Sequence, residues 1–226
     1  MQTSTPRRQP LETPRAAGAA GIVFALLLAA AIVLIRLSIP QGADAGTAQQ
    51  PGPAQLSALH TALLLVPFAG IFFLWFVGAV RSHVGDAEDR FMATVFLGSG
   101  LVFTATMFGA AAAAAAVLGT GYPAGTPTSR PTWDFGRHLA YTLMTGYAMR
   151  MAAVFVCSAS VMGHRLGVLP RWLTLLGFLT TLALLFLSST VPWAELVFPA
   201  WSLLLSAYIV GAGFRRSAAA PAGPAP

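Results

Sequence analysis

The chain has 226 residues, of which 56% are hydrophobic and only 9% charged. A soluble domain is about a quarter charged, so too little polar side chain exists here to coat a globule in water. The net charge of +6 rests on 13 basic residues, all arginine. They stand singly or in pairs beside apolar runs, not in a patch or arm, which excludes nucleic acid as the partner and points to the lipid bilayer.

Apolar runs approaching ~20 residues recur, which is the span of a bilayer's hydrocarbon core. Six spans follow in chain order: about Ala16 to Ile35, Thr61 to Val80, Phe91 to Leu118, Leu139 to Gly163, Trp172 to Ser188 and Trp193 to Phe214. Lipid cannot satisfy an open backbone, and the alternation of a β-barrel is absent. The expected fold class is therefore all-α, a polytopic transmembrane bundle of six helices. Residues 1–15 and 215–226 are expected to be disordered cytoplasmic tails around a transmembrane domain of residues 16–214. The Gly-, Pro- and Thr-rich segments 37–58 and 119–136 read as irregular loops. The first span, followed by GADAG, resembles a signal peptide with an A-x-A cut at Ala43 to Ala45, but its apolar run exceeds the usual ~7–15 residues. An uncleaved helix is expected.

Orientation follows from the arginines. Arg7, Arg8, Arg15, Arg81, Arg90, Arg165, Arg171, Arg215 and Arg216 flank one side, while Arg36, Arg130 and Arg137 flank the other. Nine against three is a positive-inside bias that places both termini in the cytoplasm. Three spans followed by three would also give halves of opposite orientation, as in many transporters, although six spans make that parity automatic.

Most chemical candidates have a plainer structural reading. In the loop RSHVGDAEDR, Asp86 is placed to cap the third helix, with Glu88 and Asp89 in its first turn. That explains these acids better than a hard-cation site with His83. His60 and His138 lie at the outer ends of spans two and four, and His83 and His164 at the inner ends. An outer haem or metal site on His60 and His138 is one alternative; interfacial histidines are the other. Ser99 has no histidine at its depth, so nucleophilic catalysis finds no support. Gly98, Gly100 and the alanines 110–116 look like small residues for close helix packing. Trp133, Trp172 and Trp193 fit an interfacial belt, Trp75 and Trp201 fit packing between helices, and Cys157 fits packing as well. No catalytic constellation and no cofactor motif is legible.

Arg150, in YAMRMAAVF, is the exception. It lies 13 residues after Arg137 and 15 before Arg165, or about 20 and 22 Å from the two ends at helical rise. Snorkelling covers only several ångströms, and arginine at a helix centre costs ~2.5–3.5 kcal/mol on insertion scales. Among the seven acidic residues only Glu195 falls within a span rather than in a tail or loop. Measured from Arg215 it stands about 30 Å up, against about 22 Å for Arg150 measured from Arg165. The expectation is an Arg150–Glu195 contact, with Pro199 kinking span six and Tyr147 adding a hydroxyl from nearly the same helix face. Such a pair either locks span four against span six or lines a polar cavity for an anion, a lipid headgroup, another small molecule or a proton path.

The stretches LLLVPFAGIFFLWFVGAVR, EDRFMATVFLGSGLVF, YAMRMAAVF and LPRW, in this order, resemble an uncharacterised family of actinobacterial-type multi-spanning membrane proteins. They cover much of the chain from Leu63 to Trp172. The resemblance implies a multi-spanning protein of a bacterial plasma membrane and carries over no activity, cofactor or catalytic residue.

Overall fold

The computed structural model describes residues 13–39, 52–84, 90–117 and 130–218. Every regular element among them is helical. The elements are α1 (Thr13–Ser38), α2 (Pro53–Val84), α3 (Arg90–Val117), α4 (Arg130–Tyr141), a π-helical segment (Thr142–Ala148), α5 (Met149–Arg165), α6 (Arg171–Phe186), a 3-10 turn (Ala194–Leu196) and α7 (Val197–Ala218). The π segment joins α4 to α5 without a break, so the seven α-helices make six rods. Five rods are long and apolar enough to cross a membrane; the exception is α6, with 16 residues.

Each rod packs against the next in sequence, and α7 returns to pack against both α1 and α6. The bundle is thus a closed ring in chain order. Its axis is filled by phenylalanines from five rods: Phe24 of α1, Phe73 of α2, Phe96 and Phe103 of α3, Phe155 of α5 and Phe198 of α7, all buried. Phe96 stacks on Phe155 at 4.6 Å between centroids, and Phe73 meets Phe24, Phe103 and Phe155 at 4.6, 5.2 and 5.0 Å. Tilted and edge-on rings at such distances give aromatic pairs a contribution beyond area burial.

Close approach of α1 to α7 depends on Gly18 and Gly21. A Cβ at Gly21 would collide with Ser206 Oγ and stand 2.7 Å from a ring carbon of Phe76; one at Gly18 would strike Val210. Gly177 plays the same part between α6 and Ser160 of α5. In contrast, Gly98 faces open space, so only Gly100 of the expected small-residue pair packs closely, against Phe155 and Phe73.

Several boundaries differ from expectation. Helix α2 begins at Pro53, inside a segment expected to be an irregular loop. Proline suits the first helical position, and Gly52 N–H is capped by Gln55 Oε1 at 2.9 Å. Helix α4 likewise begins at Arg130, because 130–141 is amphipathic: Trp133, Arg137, Ala140 and Tyr141 are buried while Thr132, Phe135 and His138 are exposed. The rod Pro131–Arg165 has 35 residues, about 50 Å of helix, and outruns a ~30 Å hydrocarbon core. Helix α1 starts at Thr13, and α7 continues past Phe214 to Ala218. Trp201 is buried as expected, whereas Trp75 is 64% exposed and points out of the bundle. The expected caps Asp86, Glu88 and Asp89, the outermost tails and the possible cut at Ala43 to Ala45 lie outside the described residues.

Candidate functional site

Helix α6 spans only about 24 Å, less than the hydrocarbon core. The chain then turns through Leu187–Trp193 while still level with the other rods. Ser188 Oγ ties this turn down, reaching Thr145 O of the π segment at 3.0 Å and Leu184 O at 2.8 Å. Trp193 adopts a left-handed backbone, φ 69°, which is costly for a residue with a Cβ and reverses the chain sharply. The 3-10 turn that follows delivers Glu195 to the interior. Pro199 is the third residue of α7, where no intrahelical N–H bond is required, so it belongs to the first turn and does not kink the rod.

Glu195 is fully buried, and its Oε1 accepts a hydrogen bond from Nη2 of Arg36, in the last turn of α1. The Arg36 side chain is 8% exposed. Its guanidinium carbon lies 5.6 Å from the ring centroid of Trp193 and 5.8 Å from that of Tyr141, within cation–π range. Tyr141 in turn donates its hydroxyl to Ile39 O at 2.6 Å, binding the end of α1 to the rod of α4. One helical turn away, buried Arg137 donates to Asp134 Oδ1 at 3.3 Å and stands 3.4 Å from His138 Nε2. Arg36, Glu195, Tyr141 and Trp193 therefore form one cluster where α1 ends, α4 gives way to the π segment and α7 begins. Inside it, Glu195 Oε2 has no hydrogen-bond partner among the described residues, and neither has the buried Oγ of Ser38, two residues beyond Arg36 in α1.

The expected Arg150–Glu195 contact is not formed. The carboxylate is held by Arg36, and Arg150 is exposed on the outside of the bundle, its Nη1 donating to Gly146 O of its own helix. The reason is rotational. Depth arithmetic puts two residues at similar levels but does not say which face of the rod they occupy. On α5 the buried face is Met149, Ala152, Ala153, Phe155 and Val156, and Arg150 lies off it. Tyr147 is 61% exposed and adds no hydroxyl to the cluster; Tyr141 supplies the buried phenol instead.

In the sequence Arg36 reads as a residue flanking the membrane, and so not as a partner for a buried acid. The signal was nevertheless present. Arg36 follows Arg15 by 21 residues, about 31 Å, matching the ~30 Å height of Glu195 better than Arg150 does.

The remaining candidates do not converge. His60 and His138 are both exposed, and their helices α2 and α4 are not packing neighbours, so the structure does not bring them together as an outer haem or metal pair. Among the described residues no group of three or more His, Cys, Asp or Glu is gathered as a metal site. Ser99 is buried and donates to Phe96 O. Comparison with protein-family models, curated proteins and solved structures finds no match to this chain.

Proposed function

We propose that the chain is a multi-pass protein of a bacterial plasma membrane, with both termini cytoplasmic, and that Arg36–Glu195 is a structural bolt joining α1 to α7. Five apolar rods support the membrane assignment. The nine-to-three arginine bias supports the orientation, and the resemblance to actinobacterial-type membrane proteins supports the bacterial setting. The observation that carries the bolt is the pair itself: a fully buried carboxylate opposed by a guanidinium that two aromatic rings enclose. Phenyl rings fill the axis beside it, which argues against an open conduit. A bolt in dry packing predicts that Ser38→Cys, made with Cys157→Ser, resists a membrane-impermeant maleimide in intact cells. Rapid labelling would instead mean that water reaches the end of α1, two residues from Arg36.

A second reading has one specific observation behind it. Glu195 Oε2 and Ser38 Oγ are buried polar atoms without partners, and such groups are normally satisfied by protein or ordered water. A small polar molecule or a lipid headgroup on Glu195 Oε2 would make the cluster a binding site of the outer leaflet, in keeping with a small transporter or anion-binding membrane protein. Fast labelling at Ser38→Cys, slowed by a bound solute, is the outcome that favours it.

A further inference from the structure

We infer that the outward face of the α4–α5 rod at Arg150 docks a transmembrane helix of another protein, one that carries Asp or Glu near mid-bilayer depth. The inference rests on the membrane-spanning reading of the chain but not on its orientation or on the bolt.

Arg150 is exposed on a rod whose neighbours in the ring are α3 and α6. It stands nine residues below Tyr141, about 13 Å at helical rise, and about 22 Å from Arg165 at the other end. The level of Tyr141 is that of the charge cluster and Trp193, the natural water interface on this side. Helical side chains lean toward the N-terminus, here toward Tyr141. The hydrogen bond to Gly146 O holds the guanidinium in that direction but lets it climb only about one turn. The charge therefore ends inside the hydrocarbon, facing out of the bundle, and one backbone carbonyl does not neutralise it.

The missing complement is a carboxylate, and this chain cannot supply it from a second copy. Of its seven acidic residues, Glu195 is buried on Arg36 and Asp134 sits on Arg137 beside the upper cluster. Glu12, Asp44, Asp86, Glu88 and Asp89 lie in sequence beyond the ends of the apolar spans. A lipid phosphate belongs to the interface, about 13 Å above the Arg150 backbone and still about 8 Å above a guanidinium raised by one turn. A helix from another protein can place an acid at the required depth. Exposed Thr142 and half-exposed Gly146 stand four apart on the Arg150 face, and Arg150 Nη1 lies over Gly146, so small residues leave the guanidinium open to a neighbouring helix. Exposed Tyr147 adds a hydroxyl next to the charge. The π-helical segment Thr142–Ala148 lies directly beneath this surface, and such segments recur at functional positions of helices.

The test uses the full chain in phosphatidylcholine vesicles that contain a minor fraction of labelled phosphatidylglycerol, with a donor dye at its C-terminus and acceptor-labelled leucine-rich transmembrane peptides. One peptide carries a central Glu and the other a central Leu. Association by energy transfer is expected to favour the Glu peptide about tenfold. The preference should disappear in Arg150→Leu and persist in part in Arg150→Lys. Equal association of the two peptides, or a preference that survives Arg150→Leu, overturns the inference. So does an Arg150-dependent enrichment of phosphatidylglycerol around the protein with no peptide preference, which would assign the arginine to a lipid phosphate. Arg150→Gln replaces Arg150→Leu if the latter fails to fold. Failure of the wild-type chain to enter vesicles in alkali-resistant form would instead refute the membrane reading itself.

Discussion

Arg36 and Glu195, 159 residues apart in sequence, meet as a buried ion pair that fastens the last turn of α1 to the start of α7. The contact closes the ring of helices, because α1 and α7 are its first and last members. It forms because α6 is short: the chain turns back early, and the left-handed Trp193 drops Glu195 to the level of Arg36. The same residue lays its ring against the guanidinium.

The Tyr141 hydroxyl has one assigned task, the bond to Ile39 O. Tyr141→Phe removes it and leaves a carbonyl at the end of α1 without that donor. The expected loss is about 1–2 kcal/mol, read as a lower apparent Tm in detergent. No change in Tm would mean that this bond does not hold α1.

Gly21 is the tightest point between α1 and α7. Gly21→Val should force the rods apart, at a cost of about 1–3 kcal/mol for overpacking, and should lower the yield of monodisperse protein on size exclusion. Gly98→Val, where a Cβ meets nothing, serves as the control and should behave as wild type.

Phe155 touches Phe73, Phe96 and Phe198 from the centre of the axis. Phe155→Ala should cost about 3–5 kcal/mol through lost contacts and a cavity, while Phe155→Leu should cost distinctly less. Equal stability of the two variants would show that the ring cluster does not carry the core.

The proposed orientation predicts that green fluorescent protein fused after Pro226 fluoresces, since it matures in the cytoplasm, and that alkaline phosphatase fused there stays inactive. The opposite pattern would reverse the arginine assignment.

The helices were legible in the sequence because composition and run length decide membrane class with little help from packing. Even the shortness of α6 could be read from the distance between Arg171 and Pro192. The ends of α2 and α4 were less legible, since Gly- and Pro-rich segments look irregular until a cap such as Gln55 on Gly52, or a buried face such as Trp133 and Arg137, commits them to helix. The π segment had no periodic signature to betray it. The site was half legible. Glu195 stood out as the one acid within a span, but its partner did not, because an arginine in the last turn of a helix reads as a topology marker whether it faces water or a carboxylate. Arg150 misled for the converse reason: depth is one-dimensional, and hydropathy along an apolar helix says little about which side faces inward.

The central claim, that Arg36 and not Arg150 holds Glu195, is tested most directly by a double-mutant cycle on apparent Tm in detergent. Breaking a buried pair from one side strands a charge and costs about 3–5 kcal/mol, whereas replacing both partners by apolar residues is often nearly neutral. Arg36→Leu and Glu195→Leu should each destabilise strongly, and the double variant should regain most of the loss. Arg150→Leu should be mild alone and should not rescue Glu195→Leu. Additive losses for Arg36 and Glu195, or rescue of Glu195→Leu by Arg150→Leu, would contradict the account.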